Sequence, residues 1–318
     1  MKREAPGIPP AEEIARRMDG LGLWEALSRY NWAVKPKGTA FPYFCSVLMQ
    51  NAPPVKVRFL MLEGWQTFHD YVRTRADNNF GFYSTPMEFP HFEAVVAQNG
   101  SVGLFRHDPG YIPAPIPEGQ AGLCASIMWE AFGVMMRIEA DSTLPMKFSG
   151  ERALFARVER SEGKWEDAPL EIPDPAPHVE KIMFRKDSLA KAKDLPFAAG
   201  ESVEVEFRML LRSMTNEPRP RSVYALVMVD GASGECFSRS TTSVERDGGL
   251  RMMWESVPQK VLDGLIARGR MPGEVKVTSG RVFRLLRPLC IDIPFRLSLH
   301  DSLPNVEKTF AAGGGTAG

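Results

Sequence analysis

The spacing of hydrophobic and polar residues in the first part of the chain predicts helices and strands in alternation. AEEIARRMDGLGLWEALSRY, residues 11–30, has apolar residues at helical spacing and a break at Gly20-Leu21-Gly22. FPYFCSVLMQ (41–50) and VKVRFLML (55–62) are rich in aromatic and β-branched residues, which is typical of strands, and a proline-containing turn separates them. GWQTFHDYVRTRADN (64–78) predicts a further helix, with four apolar side chains on one side.

The middle of the chain contains the clearest local pattern, a hairpin over HFEAVVAQNGSVGLFRH, residues 91–107. Its two alternating strands meet at Asn99-Gly100, the pair that favours a tight type I′ turn. A proline-rich connector then leads into a helix over residues 119–136, which is apolar on nearly all sides and is therefore expected in the core. A second hairpin is predicted over residues 148–172, and SVEVEFRMLLRSM (202–214) alternates as a strand.

The polar, proline-containing segment NEPRPRS, residues 216–222, predicts the boundary between two domains. The remainder predicts a regular order of short elements. This order is a strand (VYALVMVD, 223–230), a second strand (ECFSRSTTSV), a third strand (LRMMWES, 250–256), a helix (PQKVLDGLIARG), a strand (EVKVTS), a helix (RVFRLLRPLC), a strand (FRLSLH) and a closing helix (LPNVEKTF).

The composition is that of a folded globular protein, since 44% of the 318 residues are hydrophobic and 25% are charged. Lys+Arg and Asp+Glu are equal at 39 each, so any contact with nucleic acid would come from a local basic patch. The first residues lack the apolar segment of a secretory signal, and no run of about 18 apolar residues predicts a membrane span. We therefore expect a cytoplasmic protein that makes no membrane contact.

Cysteine and histidine patterns give little support for metal or nucleophile chemistry. The four cysteines are scattered without a CxxC or CxH pair, so they are expected to be small buried hydrophobes in a reducing compartment, and a structural zinc site is not expected. The five histidines form no H-x-x-x-H or H-E-x-x-H pair. His107 and Asp108 could serve as a base and its orienting carboxylate, but adjacent residues of an extended segment point to opposite sides. No G-x-S-x-G elbow or phosphate-binding glycine loop is present.

Three antiparallel strands followed by helix, strand, helix, strand and helix is the element order of the ribonuclease H-like fold, which the second half resembles over about ninety residues. The resemblance implies two divalent metal ions, Mg²⁺ or Mn²⁺, bound by carboxylates from the first strand, the first helix, the end of the fourth strand and the last helix. On this reading Asp230 fills the first position, Asp263 or Glu255 the helix position and Glu307 the last. The catalytic candidates are therefore Asp230, Asp263 and Glu307, with Asp230 and Glu307 as metal ligands.

Two features of the sequence weigh against that chemistry. The fourth-strand position carries Thr278 and Ser279, which are neutral and are poor ligands for magnesium. Asp230 also precedes Gly231 in VDGASGE, where Asp and Gly are the residues that a hairpin turn uses. A fold that is retained without its metal chemistry, and without a cofactor, is therefore the preferred interpretation.

Three arginines at i, i+3 and i+6, Arg281, Arg284 and Arg287, line one side of the helix after EVKVTS. Such a row could bind the phosphates of a nucleic acid, because arginine forms bidentate hydrogen bonds with phosphate. The alternative is a solvated helix face opposite Val282, Leu285 and Leu286. The row is a candidate nucleic-acid site only if the enzyme interpretation holds.

Segments along most of the chain resemble a two-domain family of uncharacterised bacterial proteins. They are LWEALSRYNWAVKP, PGYIPAPIPEGQAGLCASIMWEA, RPRSVYALVMVDGASGE and ARGRMPGEVKVTSGRV. The resemblance implies no activity. We predict an α+β protein with a mixed sheet-and-helix domain at residues 10–215, a ribonuclease H-like α/β domain at 220–311 and a flexible tail at 312–318. The predicted function is a non-enzymatic binding or accessory protein with a possible protein partner; the alternative is a metal-dependent nucleic-acid-processing enzyme.

Overall fold

A computed structural model describes residues 8–49, 54–77, 88–176, 182, 184–210 and 220–313. The fold is α+β, with two mixed β-sheets, and the chain divides into two compact units. Residues 1–72, 87–109 and 113–177 group in the first unit, and residues 73–86, 110–112 and 178–318 group in the second. Of the predicted boundary segment, residues 216–219 lie outside the described residues, as do residues 211–215 of the first predicted domain and 314–318 of the predicted tail.

The first unit contains one eight-stranded sheet and the helices that pack on it. Its strands are β1 (Asn31–Lys35), β2 (Tyr43–Met49), β3 (Val55–Glu63), β4 (His91–Ala97), β5 (Val102–His107), β6 (Ala114–Pro115), β7 (Ala153–Ser161) and β8 (Lys164–Glu171). The helices that belong to it or begin in it are α1 (Ala11–Gly20), α2 (Trp24–Leu27), α3 (Gly64–Asp77), α4 (Glu118–Ala140) and α5 (Leu144–Phe148). The strand order is β6-β5-β4-β3-β2-β1-β7-β8, and every pair is antiparallel except β1 with β7.

Alternate residues of the central strands face a core that α1, α2 and α4 complete. Trp32, Phe59 and Phe92 are large members of this core, all with at most 1% exposure. The helix α4 is 23 residues long and, by length and composition alone, is apolar enough to cross a membrane, although the sequence pattern predicted no span. Its buried side chains belong to this core, as the pattern of a core helix predicts.

The opposite face of the same sheet packs against α3. The Phe44 ring of β2 stacks on Phe68 of α3 with centroids 4.5 Å apart, and the Ser46 hydroxyl lies 2.5 Å from the Tyr71 hydroxyl. This face also carries buried polar side chains towards β4 and β5, among them Arg58 and His91. A polar cluster is thus enclosed on a sheet face that otherwise buries apolar side chains.

The turn between β4 and β5 is one residue longer than the predicted type I′ turn. Only glycines take a positive φ in the described residues, so Asn99 does not have the backbone conformation of a type I′ turn, whereas Gly100 has φ 78°. The N–H of Ala97 donates to the carbonyl of Ser101 at 2.9 Å, which leaves a three-residue loop. This loop places His91 directly opposite His107.

The second unit contains one five-stranded sheet. Its elements are α6 (Lys186–Lys193), β9 (Phe197–Leu210), β10 (Val223–Asp230), β11 (Cys236–Ser243), α7 (Leu250–Glu255), α8 (Val257–Arg268), β12 (Met271–Val277), α9 (Gly280–Leu286), α10 (Leu289–Asp292), β13 (Arg296–Leu299) and α11 (Pro304–Gly313). The strand order is β11-β10-β9-β12-β13. β10 is antiparallel to both of its neighbours, β9 and β11, and β12 is parallel to both β9 and β13.

Two expectations for this unit differ from the structure. The strand at the centre of the sheet is β9, whereas the sequence analysis assigned these residues to the first domain and began the second domain with β10. The segment LRMMWES, predicted as a strand, forms the helix α7, and Met253 and Trp254 pack in the core from it. The three antiparallel strands are therefore β9, β10 and β11, and Asp230 ends the second of them.

The two faces of the second sheet are covered by different helices. Tyr224, Leu226 and Met228 of β10 share a core with α8. Val227 and Val229, which point to the other face, pack with Leu303 and Val306 at the start of α11. The β9 strand alternates in the same way, because its odd-numbered valines face α8 and its even-numbered glutamates face α11.

The expectation that all four cysteines are buried is met only in part. Cys45 and Cys124 are buried, Cys290 is half-buried and Cys236 is exposed. Cys236 is exposed because it begins β11, which lies at the edge of the second sheet. All four are free thiols.

Candidate functional site

Asp230 makes the contacts of a turn residue. Its Oδ1 accepts the backbone N–H groups of Ala232 at 3.1 Å and Ser233 at 2.9 Å, and its Oδ2 is bound by the Arg268 guanidinium. The hydrogen bond from the Ser233 N–H, together with Arg268, lowers the pKa of Asp230 to about 2. These are the backbone hydrogen bonds that the turn interpretation of VDGASGE predicts.

The other predicted carboxylates each have partners of their own. Asp263 on α8 accepts from Arg185 at 2.9 Å and from Gln259 at 2.7 Å. Glu307 on α11 pairs with Arg208 of β9 at 2.8 Å.

Glu255, which sequence reasoning offered in place of Asp263, is buried and pairs with Arg251 at 2.8 Å. Like the other candidates, it is therefore bound to an arginine of its own. The four candidate carboxylates are thus paired with four different arginines.

Asp230 and Glu307 lie on opposite faces of the second sheet. Asp230 is paired in register with Val203, whose side chain belongs to the core on the α8 face. Glu307 reaches Arg208, which points to the α11 face. In the described part of the chain, neither residue belongs to a group of three His, Cys, Asp or Glu side chains with ligand atoms within 4.8 Å. The sheet itself therefore separates the two predicted metal ligands.

Two acidic residues that the sequence analysis did not select, Glu204 and Glu206, are buried on the α11 face of β9. Glu204 accepts the backbone N–H groups of Asn305 and Val306, each at 3.0 Å. Glu206 accepts a hydrogen bond from the Thr278 hydroxyl, and burial raises its pKa. The alternation of SVEVEF predicted which face these glutamates share, but the pattern of one strand does not show that a distant helix covers that face.

The three arginines of the predicted phosphate-binding row have different surroundings. The Arg281 guanidinium carbon lies 4.1 Å from the centre of the Trp254 ring, in a cation–π contact. Arg284 and Arg287 are exposed. Because Val282, Leu285 and Leu286 are buried on the other side, the geometry is that of an amphipathic helix with a polar outer face.

The first unit contains a buried cluster of His91, Glu93 and His107. Their ligand atoms all lie within 4.8 Å of one another, and the three residues are 0%, 2% and 5% exposed. His107 Nε2 lies 2.6 Å from Glu93 Oε2, and the Arg58 guanidinium binds the other oxygen of Glu93. The imidazole rings of His91 and His107 stack with their centroids 4.1 Å apart.

The surroundings of the cluster fix the charges of Glu93 and His91. Burial by itself would raise the pKa of Glu93, but the hydrogen bond from His107 and the charge of Arg58 hold that pKa well below its usual range. Burial, reinforced by His107, lowers the pKa of His91 far below its ordinary value, so its imidazole is neutral. A neutral imidazole beside an ionised carboxylate is the protonation state in which these groups bind metal ions.

Sequence reasoning missed this cluster because of the turn. A two-residue loop at Asn99-Gly100 would pair His107 with Phe92 and place it on the face opposite to His91 and Glu93. The observed three-residue loop pairs His107 with His91 instead. The signal available in the sequence was H-x-E in one strand of a hairpin with a histidine in the other, which the search for helical histidine spacings did not test.

Comparison with known proteins finds a family that part of the second unit matches. Residues 188–312 match a family described as a domain of unknown function (DUF6930). The matched region begins in α6 and includes β9 to β13, so it covers the whole five-stranded sheet. No curated protein and no solved structure matches the chain.

Proposed function

We propose that this protein is a cytoplasmic, non-enzymatic binding or accessory protein whose second unit is a degenerate ribonuclease H-like domain. The observation that carries the proposal is the separation of the predicted carboxylates. Asp230 and Glu307 lie on opposite faces of the sheet, and both pair with arginines, as does Asp263. Two-metal catalysis needs ions about 4 Å apart that share several carboxylates. This set of residues does not supply such a cluster.

The strand order of the second sheet supports the ribonuclease H-like part of the proposal. From β9 to α11 the chain has three antiparallel strands, two helices, a strand, two helices, a strand and a helix, and β12 lies parallel beside β9. If β9 is the first strand, the acids on its α11 face are Glu206 and Glu204, of which Glu204 accepts the N–H groups at the start of α11, and the residue after the fourth strand is Thr278. The likeness to two-domain bacterial proteins is proposed for most of the chain, and the match to a domain of unknown function supports an uncharacterised domain at residues 188–312.

The residues at these positions, which are Glu206, Thr278 and Glu307, also favour a domain without enzyme activity. Glu206 is buried, and burial raises its pKa, which makes the loss of the proton that metal binding requires less favourable. Its neighbour Thr278 is a hydroxyl, where a metal enzyme of this fold has a carboxylate. Glu307, the remaining acid, pairs with Arg208. A buried acid of raised pKa, an acid paired with arginine and Glu204, which is occupied by the N–H groups of α11, are a poor set of ligands for two divalent ions.

A protein partner is the class of ligand that the surface favours. Leu299 of the edge strand β13 is 52% exposed, and Ile291 of α10, the helix that precedes this strand, is 86% exposed. Within the described residues, β13 pairs with β12 on one side only. Exposed apolar side chains at a sheet edge are typical of sites where another chain binds. The equal numbers of acidic and basic residues give no general attraction to nucleic acid.

Titration with manganese tests the proposal. An ion that binds the folded state at 100 times its Kd raises stability by about 2.7 kcal/mol, which a thermal melt detects. We expect neither Glu307→Gln nor Asp230→Asn to change the response of the melting temperature to Mn²⁺, and no cleavage of labelled single- or double-stranded DNA or RNA. An Mn²⁺-dependent gain that Glu307→Gln or Glu206→Gln abolishes, together with cleavage, would overturn the proposal in favour of the enzyme. His107→Gln is the matched control, because it removes a possible ligand in the first unit only.

A further inference from the structure

We propose that His91, Glu93 and His107 form a binding site for one divalent transition-metal ion of the zinc type. The ligands would be Nε2 of His91, Nε2 of His107 and a carboxylate oxygen of Glu93. Two imidazoles and one carboxylate are a ligand set that zinc and ferrous iron both use in proteins. This inference concerns the first unit and does not depend on the function proposed for the second.

The backbone brings the three ligands together on rigid elements. His91 and Glu93 are two residues apart on β4 and therefore point to the same face, and His107 lies opposite His91 on β5. Their ligand atoms lie within 4.8 Å of one another. Zinc bonds of about 2.0–2.1 Å place two ligands of one tetrahedral ion roughly 3.3 Å apart. The pair of His107 Nε2 and Glu93 Oε2, 2.6 Å apart, would open by roughly 0.7 Å, and any wider pair would close by roughly 1.5 Å or less. Both movements are within the reach of side-chain rotation.

His91 gives the second, independent observation. Its Nδ1 lies 2.8 Å from the carbonyl oxygen of Phe89, and because a carbonyl can only accept, Nδ1 carries the proton. Nε2 therefore presents a lone pair, and it is buried without a hydrogen-bond partner in the described residues. Buried polar atoms are nearly always paired. A ring nitrogen fixed by a backbone carbonyl, with the other nitrogen free, is how metal-binding histidines are oriented.

Arg58 acts on the site through Glu93. Its guanidinium binds the carboxylate oxygen that His107 does not contact, so it fixes the orientation of the carboxylate. Ligating carboxylates are commonly held by such an outer partner. On metal binding, the ion would replace the proton that His107 Nε2 shares with Glu93, and that proton would leave to solvent.

A purely structural network is the competing explanation. Arg58, Glu93 and His107 already form a connected chain of polar contacts, which could serve only to compensate the buried carboxylate of Glu93 inside the sheet. That explanation leaves the lone pair of His91 unused. The two explanations therefore differ in whether the folded protein takes up one metal ion and whether His91 is one of its ligands.

The test is metal uptake by the full chain. Protein stripped with a chelator is titrated with Co²⁺, whose visible absorption reports coordination geometry, and with Zn²⁺ in competition. We expect one ion per chain, and X-ray absorption of the zinc-loaded wild type should show two imidazole ligands. His91→Gln and His107→Gln should each weaken Co²⁺ binding at least tenfold. His300→Gln, which removes a half-exposed histidine of the second unit, should bind like the wild type.

Three results would overturn the proposal. They are the absence of uptake by the wild type, uptake that both cluster variants retain at full affinity, and wild-type X-ray absorption without imidazole ligands. Because the last measurement uses the wild type, it stays decisive if a variant fails to fold. Circular dichroism of each metal-free variant shows whether a loss of binding reflects a lost ligand or a lost fold.

Discussion

Glu204 and Glu206 are buried on the same face of β9, and we expect opposite consequences when each loses its carboxylate. Glu204 accepts three hydrogen bonds, from the N–H groups of Asn305 and Val306 and from the Asn305 side-chain amide, all at 3.0 Å. These residues form the first turn of α11, where backbone N–H groups have no partner within the helix. Glu204 thus caps a helix from a neighbouring strand.

The variant Glu204→Ala would leave these donors without their acceptor in a buried position. Each hydrogen bond to a charged group contributes about 1.5–3 kcal/mol, and neighbouring contributions do not add fully. We therefore expect the free energy of unfolding of the second unit to fall by about 3–5 kcal/mol. This is a large part of the roughly 5–15 kcal/mol that stabilises a typical domain.

The variant Glu206→Gln is the matched control. Burial raises the pKa of Glu206 above its ordinary 4.5, so the neutral form contributes stability below pH 4.5, and that contribution is lost as the pH rises through the folded-state pKa. The amide of glutamine is neutral at every pH and still accepts from Thr278. At low pH, we expect the free energy of unfolding of Glu206→Gln to lie within about 1 kcal/mol of the wild-type value. As the pH rises, the variant should become more stable relative to the wild type.

Urea unfolding, followed by circular dichroism, measures the free energy of unfolding of both variants. Hydrogen exchange with mass spectrometry shows which part of the chain is destabilised. In Glu204→Ala, exchange should rise first in peptides that cover α11. In Glu206→Gln, the same peptides should exchange as in the wild type. Equal losses in the two variants, or unchanged exchange of α11 in Glu204→Ala, would refute the capping role.

Further predictions concern the turn carboxylate Asp230 and two glycines, one in a turn and one in β12. Because the turn hydrogen bonds hold the pKa of Asp230 at about 2, below its ordinary 3.8, its carboxylate stabilises the fold above pH 3.8 and loses that contribution as the pH falls towards 2. Urea midpoints of Asp230→Asn should therefore lie below the wild type at pH 7 and converge with it towards pH 2; a constant gap would contradict this. Gly100→Ala should lower the free energy of unfolding by about 1 kcal/mol, because alanine is strained at a φ of 78°. The loss should not be larger, because the added Cβ meets no atom within 4 Å. Gly273→Ala should cost about 3 kcal/mol or more, because its Cβ would lie 2.1 Å from the Ala199 carbonyl oxygen; equal urea midpoints for the two glycine variants would contradict that reasoning.

Most individual elements were predictable because their patterns are local. The alternation of β9 and the helical spacing of α8, with Gly269 just past its end, are visible in a few consecutive residues. The division between units was not predictable in the same way. A proline-containing segment looks like a linker whether it joins two domains or two paired strands of one sheet, and β9 pairs with β10 across it.

The candidate sites required long-range information that the sequence lacks. Whether the acidic face of β9 is exposed depends on α11, about a hundred residues away. Whether His107 joins His91 depends on one residue of loop length, since a shift of one residue in pairing moves a side chain to the other face. The α7 segment was misassigned because six residues with few polar side chains fit both a strand and a helix.

The central position of β9 has a consequence for the order of folding during synthesis. β9 gains its first neighbour, β10, after a short connection, but its other neighbour, β12, is synthesised about sixty residues after β9 ends. Parallel pairing also needs the intervening helices in place, and contacts of long sequence separation form slowly. The β9–β10–β11 meander can therefore form first, with one open edge of β9. Until β12 emerges from the ribosome, that edge is the part of the nascent chain most exposed to wrong pairing.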